Sequence, residues 1–254
     1  MECDIVSATY PVMQGAEPFY HEGSSIGILV CHGFTGTTQS MRPLGEAYKN
    51  FGFTVCGPRL KGHGTSYEEM ETTSYHDWIA SIEEGLQWLK ERCHVIFVTG
   101  LSMGGTLTLY LAEKYPEVKG IIPINAAVSL PAMEALLQAE HPRYIDAIGS
   151  DIKDPNSVEL AYEKTPTKSV EQIVELVKVV RMDLNKIICP ALIFVSDEDH
   201  VVPPDNSMII FENISSDDKE LYRLTNSYHV ATLDYDQSII INLSLAFINR
   251  VLNK

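Results

Sequence analysis

Short apolar runs recur along the chain, and stretches with helical spacing lie between them. The runs are 26–31 (IGILVC), 53–56 (FTVC), 95–99 (VIFVT), 120–124 (GIIPI) and 191–196 (ALIFVS), with 219–224 (KELYRL) as a sixth. Most are hydrophobic at every position, not at alternate ones, which is the pattern of strands covered on both faces. Residues 75–92 place Trp78, Ile82, Leu86 and Leu89 on one helical face and Glu83, Glu84 and Lys90 on the other. Residues 103–114 read as a second helix. Residues 234–252, with Ile239, Ile240, Leu243, Phe247 and Val251, read as a closing one. This alternation predicts an α/β fold, a mostly parallel sheet with helices on both faces.

One interval breaks the alternation. From 126 to 188 the pattern predicts no strand. Helical spacing occurs at 131–139 and at 169–182 (Val170, Ile173, Val174, Val177, Val180), with Pro142, Pro155 and Pro166 as punctuation. A connection of this length is too long for an ordinary link in such a sheet. The expected organisation is a core of residues 1–125 and 189–254 with an inserted helical cap at 126–188. Leu176 and Val179 lie off the main stripe of the second cap helix. That surplus suits either packing on the core or an acyl tunnel, with transient contact to a membrane or micelle.

Composition narrows the function. With 254 residues the chain has room for one large domain or one domain with an insertion. No apolar run reaches the roughly 18 residues of a membrane span. The N-terminal MECDIVSATYPVMQGAEP has no basic region of a signal peptide, so a cytoplasmic protein is expected. The net charge of −15 argues against nucleic acid and anionic surfaces and suits a neutral small-molecule substrate. Cys3, Cys31, Cys56, Cys93 and Cys189 are odd in number and lack C-x-x-C spacing, so reduced thiols are expected, not disulfides or metal ligands.

The candidate chemistry centres on VTGLSMGGTL (98–107). Gly100, Ser102 and Gly104 match G-x-S-x-G, a sharp strand-to-helix turn that exposes a nucleophilic serine. Chance gives this match in roughly one chain in ten of this length. The context raises its weight, because an apolar run precedes it and a helical pattern follows. A serine hydroxyl needs a base, and the base needs a carboxylate to hold its tautomer. In this fold type the chain order is Ser, acid, His. Five of the eight histidines precede Ser102, and His141 precedes the strand-end acids. His200 adjoins those acids and reads as a loop residue. His229, in NSYHVATLD, remains as the base. The acid comes from SDEDHVVPP (196–204): Asp199 is preferred, with Asp197 the alternative. The oxyanion needs backbone donors. Met103, after the nucleophile, supplies one, and Phe34 in CHGFTGT (31–37) is the candidate for the other. His32 and His63 read as architectural.

With these segments in place, the chain resembles bacterial α/β-hydrolases of the monoacylglycerol lipase and carboxylesterase group. VCHGFTGTTQSMRPL (30–44), PRLKGHGT (58–65), FVTGLSMGG (97–105), FVSDEDHVVPP (194–204) and NSYHVATLDYD (226–236) carry the likeness, in the expected order. LAYEKTP (160–166) adds a particular likeness to thermostable bacterial monoacylglycerol lipases. The resemblance implies an α/β-hydrolase fold and a triad of Ser102, Asp199 and His229. It also implies an oxyanion hole from the Phe34 and Met103 amides, and an acyl-enzyme route that needs no metal or cofactor. The expected substrate is a monoacylglycerol, with a general carboxylesterase for short to medium acyl chains as the alternative. Glu159 and Asn125 are candidate partners for the alcohol end, with Glu163 competing with Glu159. A non-catalytic relative would be expected to lack a triad member, and none is missing.

Overall fold

The computed structural model describes residues 10–253, so Cys3 lies outside the described residues. The strands are β1 (Phe19–His21), β2 (Ile26–Cys31), β3 (Thr54–Gly57), β4 (Val95–Leu101), β5 (Val118–Ile124), β6 (Tyr144–Asp146), β7 (Lys164–Pro166), β8 (Ala191–Ser196) and β9 (Lys219–Leu224). The helices are α1 (Arg42–Asn50), α2 (Tyr67–Met70), α3 (Tyr75–Lys90), α4 (Met103–Lys114), α5 (Pro131–Gln138), α6 (Thr167–Asp183), α7 (Asp205–Asn213) and α8 (Gln237–Leu252).

Seven strands form one sheet in the order β1-β3-β2-β4-β5-β8-β9. Every pairing is parallel except the edge pair β1–β3. All six apolar runs became strands of this sheet. The sequence pattern missed β1, whose three residues (FYH) are too few to show a period.

The sheet separates two apolar cores. One holds Trp78 and Ile82 of α3, Leu107 and Leu111 of α4, and Val177 and Val180 of α6. The other holds Leu44 and Tyr48 of α1 with Ile240 and Phe247 of α8. Strands buried on both faces need no polar alternate positions, which is why their runs are continuously apolar. At the start of α3, Asp77 accepts the Ser74 amide at 2.9 Å, a capping box that fixes the helix entry.

The interval between β5 and β8 differs from the expectation in two ways. It contains a two-stranded antiparallel ribbon, β6 with β7, paired Tyr144↔Pro166 through Asp146↔Lys164. These strands are three residues each, again below the length at which alternation can be read. Second, α6 belongs as much to the core as to the cap. Leu176 is fully buried with α4 in the first core, so its off-stripe position serves packing. The α6 residues that face the cavity are Val170 and Ile173, on the main stripe. By contrast, α5 has no buried residue and lies at the surface.

The described cysteines are free. Cys31, Cys56 and Cys93 are buried and Cys189 is half-buried. Burial pushes the Cys56 and Cys189 thiols up to about 12, and Cys31 higher still, so these thiols stay protonated and inert. Among the described residues, no helix is long and apolar enough to cross a membrane.

Candidate active site

β4 ends at Leu101 and α4 begins at Met103, so Ser102 alone makes the turn. Its φ of 57° and ψ of −122° lie where a side chain is strained. The turn is possible because three glycines let backbones close up. A Cβ on Gly100 would collide with the Gly104 carbonyl, and one on Gly104 with the Cys31 carbonyl. On Gly105 it would stand 2.5 Å from the Ala126 Cβ. The other two non-glycine residues with positive φ among the described residues are Thr35 (60°) and Asn125 (46°), and both adjoin the same region.

The loop after β8 brings in the acid and the loop after β9 the imidazole. Asp199 Oδ2 lies 2.7 Å from His229 Nδ1. Its Oδ1 accepts the Val201 amide at 2.9 Å and the Val202 amide at 2.8 Å. The carboxylate is thus oriented from two sides and nearly closed to solvent. Asp197, the alternative acid, is engaged elsewhere: it pairs with Arg223 at 2.6 Å. The His229 imidazole is buried. Burial pulls it down, but the Asp199 carboxylate, with Glu159 and Asp151 beyond it, outweighs burial and holds it above the ordinary histidine range.

Ser102 and His229 line one cavity of about 310 Å³. Gly33, Phe34 and Thr35 form its wall beside the serine; a Cβ on Gly33 would touch the Ser102 Cβ at 3.3 Å. Met103 opens α4, where amides lack an intrahelical acceptor. Neither the Met103 nor the Phe34 amide donates to another described residue in a turn, loop or side-chain hydrogen bond. Leu130, Met133 and Leu136 near and along α5, Ile145 of β6, and Val170 and Ile173 of α6 add apolar side chains to the lining.

Of the two carboxylates considered for the alcohol end, Glu159 lines this cavity, whereas Glu163 is exposed and outside it. Burial raises the Glu159 carboxyl to about 7, against the lowering influence of His229 and the Ser40 hydroxyl. Asn125 departs from its expected place. Its amide nitrogen donates to Ser196 Oγ at 3.0 Å and to the His229 carbonyl at 2.8 Å, and its oxygen accepts the Ser196 amide at 2.8 Å. Both its amide donors and its oxygen are engaged in tying β8 to the His229 loop, and it does not line the cavity.

His32 and His63 are framework, as read from the sequence. His32 Nδ1–H donates to the Gly33 carbonyl at 3.0 Å and Nε2 accepts the Leu60 amide at 3.2 Å. Burial lowers His32 to about 4, so it stays neutral. His63 packs edge-on against His32 and Trp78. His200 is exposed and faces Asp151, with Nδ1 2.8 Å from Oδ1.

Two acids escaped sequence reasoning. Asp151 accepts the amides of both His200 and His229 at 3.1 Å. Asp234 accepts the amides of Lys153 (2.7 Å), Asp154 (3.1 Å), Tyr228 (2.9 Å) and Tyr235 (2.8 Å). Asp151 holds both loops, and Asp234 holds the segment at 153–154, from far away in sequence, and such work leaves no local motif.

A strained serine and a carboxylate-held imidazole on one largely apolar cavity, with Phe34 in its wall, are the arrangement of a serine hydrolase. The family model for serine aminopeptidase, S33 (Hydrolase_4), matches residues 25–236. The chain belongs to this hydrolase family. A thermostable monoacylglycerol lipase of Bacillus sp. (strain H-257) is 64 % identical over 95 % of this chain and 98 % of its own. A carboxylesterase of Bacillus subtilis (strain 168) is 31 % identical over 88 % of this chain and 92 % of its own. Among solved structures, one from the LipS and LipT metagenome-derived lipolytic enzymes is 50 % identical with a TM-score of 0.92. It covers 94 % of this hydrolase and 100 % of that chain. These relatives and the sheet order establish the α/β-hydrolase fold and make this chain an ester-cleaving serine hydrolase by kinship.

Proposed function

We propose that this hydrolase cleaves monoacylglycerols to glycerol and a fatty acid through an acyl-enzyme on Ser102. The carrying observation is the cavity: Ser102 and His229 line it together with apolar side chains of α5 and α6, and Glu159 lines it beside Gly36. The apolar lining suits an acyl chain. Glu159 suits the hydroxyls of the alcohol. The identity to the Bacillus lipase supports the same substrate class.

In the proposed mechanism neutral His229 takes the Ser102 proton through Nε2 while Nδ1–H stays on Asp199. Ser102 Oγ attacks the ester carbonyl, and the oxyanion forms against the Phe34 and Met103 amides. Preorganised donors of this kind are worth roughly 10²–10³ in kcat each. The alcohol leaves with the proton from His229. Water, activated by His229, then releases the acid. Ile148 and Val158 of the cap are exposed and would be the first to meet a micelle or membrane carrying the substrate.

The second reading, a general carboxylesterase, is favoured by the Bacillus subtilis relative. Hydrolysis of mono-, di- and triacylglycerols is to be compared with short-chain p-nitrophenyl esters and an aminoacyl p-nitroanilide. Preference for monoacylglycerols supports the first reading. Fast cleavage of the short esters alone favours the second, and cleavage of the anilide alone discards both. Ser102→Ala removes all turnover in either ester reading.

A further inference from the structure

Asp151 lies between β6 and β7, outside the main sheet, yet its side chain is only 12 % exposed. One of its oxygens, Oδ2, accepts the amides of His229 and His200, both at 3.1 Å. The other faces His200 Nδ1 at 2.8 Å. Its backbone carbonyl accepts the Val230 amide at 3.0 Å. His200 follows Asp199 in sequence. A single carboxylate oxygen therefore bridges the loop carrying the acid and the loop carrying the base. Asp234 reinforces the same junction, since it holds the Lys153 and Asp154 amides together with that of Tyr228.

We propose that Asp151 is a positioning residue that sets the spacing of the Asp199 and His229 loops. Seating of the cap segment and alignment of acid with base are then one event. The physical reason is that a side chain's placement starts from its main chain. The Asp199–His229 hydrogen bond alone would let both loops shift together relative to Ser102, and the Asn125 tie holds only the His229 side. A third anchor from another segment removes that freedom. Hydrogen bonds from amides to a carboxylate are charge-assisted and strong enough to do this. Small misplacements near the reacting atoms cost about 10²-fold in rate.

This inference rests on the reading of Ser102, Asp199 and His229 as the triad. The test measures kcat and KM on a soluble p-nitrophenyl ester for the wild type, Asp151→Ala and Asp151→Asn. Melting temperature is followed for each, and Ser102→Ala is the independent control of the triad reading. The low-field NMR signal of the His229 Nδ1 proton is recorded in parallel. Asp151→Ala leaves two amides without an acceptor, so kcat falls about 30- to 100-fold with KM changed less than threefold, and the signal broadens or vanishes. In Asp151→Asn the amide oxygen can still accept both N–H groups, so kcat returns to within about fivefold of wild type and the signal persists. An unchanged kcat in Asp151→Ala overturns the proposal. So does an Asn variant as impaired as the Ala one, which would mean that charge and not position matters. If Asp151→Ala does not fold, the Asn variant decides: a retained signal and kcat support the proposal, and their loss overturns it. Turnover surviving in Ser102→Ala would sink the triad reading, while the NMR comparison still reports on Asp151.

Discussion

Asp199 reaches His229 across thirty residues of chain, Oδ2 to Nδ1 at 2.7 Å, while its Oδ1 accepts the amides of Val201 and Val202. This two-sided grip predicts the outcome of Asp199→Asn. The two amides keep the Asn oxygen in the Oδ1 position, which turns the NH₂ group towards His229. Nδ1 must then accept, the proton moves to Nε2, and the ring presents a donor to Ser102 where the reaction needs an acceptor. Activity should fall about 10³–10⁴-fold with little change in melting temperature. Steady-state kinetics on a soluble ester checks it. A loss below tenfold would show that another acid does the work.

Glu159 and His229 share one cavity and act on each other's protonation. His229 must be neutral to act as base, and its neighbours hold it above the ordinary histidine range. The acid limb of kcat/KM should therefore lie above about 6.5. Glu159→Gln removes a negative charge, so the imidazolium becomes less stable and the limb moves to lower pH. The same variant should raise KM for monoacylglycerols and leave KM for p-nitrophenyl esters nearly unchanged. A pH–rate profile of both proteins tests the shift, and movement in the opposite direction would refute the coupling.

Two glycines near the serine should respond oppositely to alanine. At Gly36 a Cβ would stand 2.6 Å from Glu159 Oε1, the far end of a flexible side chain. Gly36→Ala should fold normally and mimic Glu159→Gln in its selectivity. At Gly104 the obstacle is the Cys31 carbonyl, part of the β2 main chain. Gly104→Ala should cost about 3 kcal/mol or more and lower the urea midpoint. Equal stability of the two variants would contradict the packing described.

The parts of this molecule legible in the sequence are those whose signal is local. Continuous apolar runs gave the central strands, because burial on both faces leaves no polar position. Ser102 announced itself through glycines needed within two residues of it. Chain order pointed to His229 and to the acids of 196–204 as candidates, and depth in that loop favoured Asp199 over Asp197. The illegible parts are of two kinds. β1, β6 and β7 are too short for a period to emerge. Asn125 and Asp151 owe their roles to main-chain groups that folding delivers from more than 45 positions away. Before folding, Asp151 is one loop acid among many and Asn125 a plausible ligand for a hydroxyl. Leu176 is ambiguous in the sequence for a similar reason: its helix is shared between cap and core.

Glu113 of α4 offers a stability test away from the site. Its carboxyl is half-buried with Oε1 lacking a hydrogen-bond partner, and burial together with the nearby Asp183 charge raises it to about 8. In the unfolded chain a glutamate titrates near 4.3. The folded state therefore holds this proton more tightly. The stabilisation is complete below about pH 4.3 and is lost as pH rises towards 8. Glu113→Gln keeps the shape and never ionises, so it suffers no such loss. The variant and the wild type should have similar urea midpoints at pH 4.5. At pH 8 the variant should be ahead by roughly 2 kcal/mol, after allowing for solvent screening at a partly exposed edge. Urea titrations at the two pH values measure the difference directly. A gap that is constant with pH would mean that Glu113 is ionised in both states, or in neither, throughout this range.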